Sequence, residues 1–203
     1  LIIENTMIVN ITRSKNKEIE ALVSSVYMQQ LLEHDPYTYY HSVRVGSIMS
    51  SFGEYLGCSS KEIELLYFAG LLHDIGKVSV SQKILQKKGP LTQDEWISIK
   101  AHPIDSVRRL NDSLAEPLIH QVAKYHHENM DGSGYPFGIK GKEIPFYARI
   151  ARIVDTFDAI TTERAYSKKD SAGKAMHIIT SEAGNLFDPV LAHKFKLFSA
   201  TLS

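Results

Sequence analysis

The 203-residue chain is 43% hydrophobic and 23% charged, the balance of a soluble globular protein with one buried core, which excludes a disordered or membrane-embedded class. Lys plus Arg and Asp plus Glu are equal at 23 each, so no basic field is present to hold long nucleic acid by its phosphates, while a small phosphate-bearing ligand stays open. Cys58 is the single cysteine, which rules out an internal disulfide and a thiolate zinc cluster and fits a reducing, cytoplasmic compartment.

Helix punctuation recurs along the chain, and the period-two alternation of strands is nearly absent. The start at Leu1 rather than methionine leads us to expect a fragment, with residues 1–34 as a helical lead-in or the remnant of an upstream region. A mixed charged and apolar pattern from about residue 15 to 33 suggests the lead-in helix. Asp35-Pro36 then reads as an N-cap followed by proline at the first helical position, and Val45, Met49, Phe52 and Leu56 continue an apolar face that Gly57 stops. His41 falls on that face. Ser59 and Glu62 form a capping-box pattern that opens an apolar helix expected to run to Gly76, with His73 and Asp74 in its last turn. Thr92 and Glu95 repeat the box ahead of a helix that Pro103 interrupts just after His102. Ser113 is a candidate opener for the next helix, in which Ile119, Val122, Ala123 and His126 share one face. Pro145 starts another, where Asp155 and Asp158 continue a face lined by Ala148 and Ala151. Further helices follow Ser171 and Asp188-Pro189. The prediction is one all-α domain of seven to nine helices over residues 35–203. No apolar run reaches the roughly 18 to 20 residues that cross a bilayer, so no membrane insertion is expected.

Chemistry concentrates in imidazoles and acids. His126-His127 precede a glycine-loosened stretch ending Gly134-Tyr135-Pro136, and His41, His73-Asp74, His102 and Asp155 add donors near helix ends or on apolar faces. Buried acids need a strong compensating partner, and clustered imidazoles repel once protonated. Divalent cations answer both, and a nitrogen and oxygen donor set without sulfur suits iron, manganese or zinc. So many donors at one place imply more than one ion. Asp74, with two oxygens, is a candidate bridge. An isolated histidine such as His41 on a buried face is otherwise a core hydrogen-bonding residue. His34, His120, His177 and His193 fit packing or surface roles.

The chain resembles the HD-GYP domain, a branch of the HD superfamily of metal-dependent phosphohydrolases that hydrolyses cyclic di-GMP. The resemblance covers roughly residues 35 to 195. It rests on His73-Asp74-Ile75-Gly76-Lys77, Lys88-Gly89-Pro90-Leu91-Thr92 with Glu95, His102-Pro103, Gly134-Tyr135-Pro136, Ile144-Pro145 with Arg149, and then Asp155, Asp158, Ala159, Arg164 and Tyr166. It implies that one metal takes His41, His73, Asp74 and Asp155, and that a second takes His102, His126 and His127, with Asp74 bridging. Iron is implied, with manganese as the alternative. Tyr37 stands where relatives with a third ion carry a glutamate, which points to two ions here. The resemblance assigns Lys77 to charge stabilisation or the leaving oxygen, and Tyr135, Arg164, Asp158 and Ala159 to substrate. Asp158 has an alternative role as an N–H acceptor in the core, and Arg164 as a helix-end ion pair. Glu128 and Asp131 are read as braces for the loop or the histidines. Ser167 departs from a position often basic in relatives. The implied activity is linearisation of cyclic di-GMP to pGpG and onward to GMP. Open alternatives are another cyclic dinucleotide, another nucleotide, diiron oxygen chemistry, or a non-catalytic ligand-sensing and partner-docking module. An upstream sensor or receiver domain, a diguanylate cyclase partner and a homodimer are implied by resemblance alone.

Overall fold

The computed structural model describes residues 25–110, 116–162 and 170–201. Among them the chain is helical without a strand, as expected; a lone bridge joins Ala183 and Phe187. Nine α-helices have both ends within the described residues, and residues 25–34 form a helical stretch, α1, ahead of them. The lead-in helix is therefore described only from residue 25 onward.

Local chemistry explains where the helices begin. α2 (Pro36–Tyr55) is capped by Asp35, whose Oδ2 accepts the Thr38 backbone N–H at 3.3 Å and its hydroxyl at 2.5 Å. α3 (Ser60–Leu72) opens with both bonds of the Ser59 and Glu62 box, and α5 (Gln93–Lys100) does the same with Thr92 and Glu95. α4 is a single turn, Gln82–Leu85. α8 (Phe146–Thr161) follows Pro145, α9 (Ala172–Ser181) is capped by Ser171, and α10 (Pro189–Ser199) by Asp188.

Three boundaries differ from the sequence expectation. α3 stops at Leu72, so His73 is its C-cap and Asp74, at φ −103° and ψ 7°, leads into a 3-10 turn over Ile75–Ser79. Gly76 does not end the helix but sits in that turn, where a Cβ would lie 2.1 Å from the His102 carbonyl oxygen. α6 spans His102–Leu110, so Pro103 belongs to its first turn, where a missing N–H costs nothing, and the break with α5 falls at Ala101. α7 (Pro117–Tyr125) begins after Glu116 with proline at the first position; Ser113 lies outside the described residues.

α2 and α3 fold back on one another, α7 packs on α3, α6 packs on α7 and on the 3-10 turn, and α8 packs on α2 and α7 with α9 and α10 beyond it. The core is one cluster that includes Val45, Met49, Phe52, Leu66, Leu72, Ile119, Val122, Ile150, Val154 and Phe195. Phe52 meets Phe195 edge-on at 5.0 Å between ring centroids, which ties α10 to α2.

The α2 and α3 crossing decides where two of the candidate donors stand. A Cβ on Gly70 would lie 2.5 Å from the Gly46 Cα, so the two backbones touch. His41 sits little more than a turn before Gly46, and His73 three residues after Gly70. Replacing Gly70 by alanine forces the helices apart. By overpacking, Gly70→Ala is expected to lower unfolding free energy by about 1–3 kcal/mol, read as a lower urea midpoint at unchanged slope.

Candidate metal centre

Five structural elements converge on one buried point. His41 comes from the second turn of α2, His73 and Asp74 from the end of α3, and His102 from the first residue of α6. His126 is the C-cap of α7 with His127 just beyond it, and Asp155 stands midway along α8. These are the donors singled out from sequence, and they fall into two sets of mutually close ligand atoms: Asp74, His102, His126 and His127, and His41, His73 and Asp155.

Asp74 lies between the sets and is only 1% exposed. Its Oδ2 is 3.3 Å from His73 Nε2 and 3.8 Å from His41 Nε2; its Oδ1 is 3.0 Å from His102 Nε2 and 3.7 Å from His126 Nε2. One oxygen thus faces each set. On the far side, Asp155 Oδ1 is 3.1 Å from His41 Nε2, and its Oδ2 is 4.0 Å from His127 Nδ1.

The outer nitrogens of four histidines are already committed. His73 Nδ1 donates to the Gly70 carbonyl at 2.7 Å, His102 Nδ1 to Ile99 at 2.6 Å, and His126 Nδ1 to Val122 and Ala123, both at 3.1 Å. His41 Nδ1 donates to Asp158 Oδ2 at 2.7 Å. A carbonyl can only accept, so for the first three the proton is on Nδ1 and the bare Nε2 lone pair points inward, the arrangement of metal-ligating histidines. His73 Nε2 and Asp74 Oδ1 are buried with no hydrogen-bond partner, a costly state unless a cation takes their lone pairs. The residues therefore fit divalent ions.

Electrostatics agree with that reading. Burial pushes His126 down to about 4, helped by its neighbours His73 and His102. Burial likewise holds His127 well below its usual range, so both rings are neutral and able to ligate near pH 7. Burial alone would protonate Asp74, but Lys77 and the neighbouring His73 and His102 outweigh it and keep its carboxyl well below the ordinary range. Asp155 is held down in the same way, against burial, chiefly by His41.

Lys77 Nζ donates to Asp74 Oδ2 at 2.5 Å and lines a cavity of about 750 Å³ that also exposes His41, His102, His127 and Tyr135. Tyr135 stacks on His127 with centroids 4.6 Å apart, and Lys100 Nζ lies 5.3 Å from the tyrosine ring centre. Burial and the Asp74 and Asp155 charges push its hydroxyl pKa up, so it stays a neutral donor. The loop behind it is braced as the sequence suggested: Glu128 Oε1 accepts the Phe137 N–H at 2.8 Å and Asp131 Oδ1 accepts the Ser133 N–H at 2.8 Å.

Asp158 is 2% exposed, and its oxygens accept from His41 Nδ1 and, at 2.7 and 3.0 Å, from Arg44 Nε and Nη2. That geometry matches the N–H acceptor alternative and orients His41. Ala159 is half-buried on α8 and does not line the cavity. Arg164 and Ser167 lie outside the described residues. Sequence reading missed Arg44 and Arg152. Arg152 Nε donates to Asn129 Oδ1 at 2.9 Å, and Asn129 Nδ2 to Ser133 at 3.0 Å, which anchors the tyrosine loop to α8. The available signal was a basic residue three positions from a donor, His41 to Arg44 and Arg152 to Asp155.

Residues 25–191 match the HD domain family. A cyclic di-GMP phosphodiesterase of Pseudomonas aeruginosa is 37% identical over 91% of this chain and 44% of its own length. A 3'3'-cGAMP-specific phosphodiesterase of Vibrio cholerae is 31% identical over 82% of this chain and 40% of its own. The chain thus spans less than half the length of these curated relatives. The crystal structure of a cyclic GMP-AMP specific phosphodiesterase from V. cholerae superposes with a TM-score of 0.65 at 20% identity, covering 90% of this chain and 48% of that one, a likeness of fold.

A pH experiment follows from His126. Its proton affinity is lower folded than unfolded, so the stability it contributes is present above about pH 6.5 and is lost as pH falls toward about 4. In chelator-treated protein, the loss of unfolding free energy between pH 7.5 and 5.0 is expected to be about 2 kcal/mol smaller in His126→Asn than in the parent. Equal losses would show that His126 does not carry the effect.

Proposed function

This chain belongs to the HD domain family, and on that premise we propose that it hydrolyses cyclic di-GMP to the linear dinucleotide pGpG and onward to GMP at a dinuclear centre. The observation that carries the reading is the Asp74 carboxylate, with one oxygen toward each histidine set. We assign His41, His73, Asp74 and Asp155 to one ion and Asp74, His102, His126 and His127 to the other. Iron is the proposed metal and manganese the alternative. The spaced motifs from His73-Asp74 to Gly134-Tyr135-Pro136 favour the HD-GYP branch. The catalytic unit is assigned to residues 35–203, acting in the cytoplasm on a soluble dinucleotide. An upstream sensor or receiver domain, a diguanylate cyclase partner and a homodimer complete the proposal.

Two divalent ions would supply Lewis acidity for the phosphate oxygens and an acidified water for in-line attack. The protein's own groups then divide the remaining work. Lys77, one turn from His73 and open to the cavity, neutralises charge that builds on the phosphate or the leaving oxygen. Its contact with Asp74 holds the ammonium at that place before substrate arrives. Tyr135 donates its hydroxyl to substrate while its ring rests on His127. Asp158 and Arg44 keep the His41 ring in orientation, and the Arg152 to Asn129 to Ser133 chain does so for the tyrosine loop. Tyr37, stacked parallel to His41 with centroids 6.3 Å apart, puts a ring rather than a carboxylate at the cavity wall, which supports two ions rather than three.

A second reading, in which the substrate is 3'3'-cGAMP, is favoured by one observation: the chain is 31% identical to a V. cholerae enzyme with that specificity. Relative kcat/KM on the two cyclic dinucleotides decides between them.

Two variants test the centre. Asp74→Ala is expected to lose at least about 1000-fold in turnover of cyclic di-GMP, of the size seen when a group acting on transition-state charge is removed, and to fall from two bound metals per chain, measured by elemental analysis and product chromatography. Unchanged turnover refutes the bridge. Tyr135→Phe keeps the ring on His127 and so is expected to retain metal while KM for the dinucleotide rises about 10- to 150-fold, the worth of one hydrogen bond to a charged group. Metal loss in step with activity would make the tyrosine structural.

A further inference from the structure

The cavity does not end at the metal centre. From His102 and His127 it extends past Ile99 to a wall formed by Lys87, Lys88 and Trp96. This wall is held in place. Lys87 Nζ donates to Glu95 Oε2 at 2.6 Å, and the same oxygen accepts the Thr92 backbone N–H at 2.7 Å, so the segment before α5 is pinned to the cap of α5. Trp96 is nevertheless 48% exposed. About half of this indole is thus open to water beside the cavity. Trp96 and Ile99 lie one turn apart on α5, and the Ile99 carbonyl is the group that orients His102. The indole therefore stands on the helix face that leads to the centre, roughly 9 Å from His102 at the helical rise per residue.

Charge is distributed to match. In a chain with equal numbers of acids and bases, the cavity is lined among the described residues by Lys77, Lys87 and Lys88 against the carboxylate of Asp35, with Glu95 paired to Lys87 behind the wall. The Asp35 carboxylate is itself engaged by Thr38. Lys77 lies at the centre, while Lys87 and Lys88 lie at the far arm. A dinucleotide ring carries two phosphates, and when one is at the centre the other must be neutralised some distance away.

We infer that the arm bounded by Lys87, Lys88 and Trp96 is a second-nucleotide subsite, in which one purine of the cyclic dinucleotide stacks on the Trp96 indole and the uncleaved phosphate lies against the two lysines. This inference rests on the cyclic dinucleotide reading above and adds a source of substrate selectivity to it. Stacking on an aromatic face suits any purine, so the subsite selects dinucleotides over small phosphodiesters rather than guanine over adenine. The cavity volume falls within the usual range for sites that enclose a small ligand.

The test compares two substrates on the metal-loaded protein: cyclic di-GMP and bis(p-nitrophenyl) phosphate, which has neither a base nor a second phosphate. The readout is the ratio of their kcat/KM values. Trp96→Ala is expected to lower that ratio about 5- to 100-fold, the range measured for base-on-aromatic stacking, with Trp96→Phe in between. Lys88→Gln is expected to lower the ratio less and to flatten its dependence on salt. An unchanged ratio in Trp96→Ala, whether both activities persist or both fall together, overturns the subsite. A parent protein that cleaves the small diester but not any cyclic dinucleotide overturns the functional reading instead, so the two failures are distinguishable.

Discussion

The structure depends on one buried carboxylate. Asp74 has almost no contact with solvent, and burial favours its protonated form. Four imidazoles and the Lys77 ammonium surround it, and Lys77, His73 and His102 reverse that preference. The arrangement requires the ends of α3 and α7 and the starts of α2 and α6 to meet at one point. That in turn requires α2 and α3 to touch at Gly46 and Gly70 and the 3-10 turn to touch α6 at Gly76. Backbone contacts without side chains set the spacing on which the charged cluster depends.

The hydrogen bonds that fix the histidines also solve a problem of helix ends. The last carbonyls of a helix have no partner within it. Gly70 on α3, Ile99 on α5, and Val122 and Ala123 on α7 lie in the last turns, and each accepts a histidine Nδ1–H, Val122 in addition to the His126 backbone N–H and Ile99 in addition to that of Ala101. The same bond satisfies the helix terminus and turns Nε2 toward the centre. His41 is the exception because it lies inside α2, where every neighbouring carbonyl is already used. It draws its acceptor from α8 as Asp158, and Arg44 balances that carboxylate. Asp158 is thus explained by the position of His41 within its helix.

Much of this was legible in the sequence, because caps and donors are local signals. Asp35-Pro36, the two capping boxes, Ser171 and Asp188-Pro189 mark helix starts that the structure retains. The donors were legible because histidines and acids on apolar faces are conspicuous. The end of α3 was not, since Gly76 looks like a stop signal while its actual constraint is the approach of α6, which is tertiary. Arg44 reads as a surface residue until Asp158 is brought to it from 114 positions away. Trp96 reads as one more apolar residue of α5, and only the structure shows it half-exposed on a cavity wall.

The order in which donors occur along the chain bears on how the centre is made. His41 leaves the ribosome early and Asp155 late, with the remaining donors between them. A nascent chain that has emerged just past His127 holds six of the seven groups but lacks the one that closes the His41 side. The His41 and His73 set lacks Asp155 until α8 has docked, whereas the set of Asp74, His102, His126 and His127 draws nothing from α8. A product terminated before α8 would therefore hold one donor set whole and leave His41 and His73 without their carboxylate.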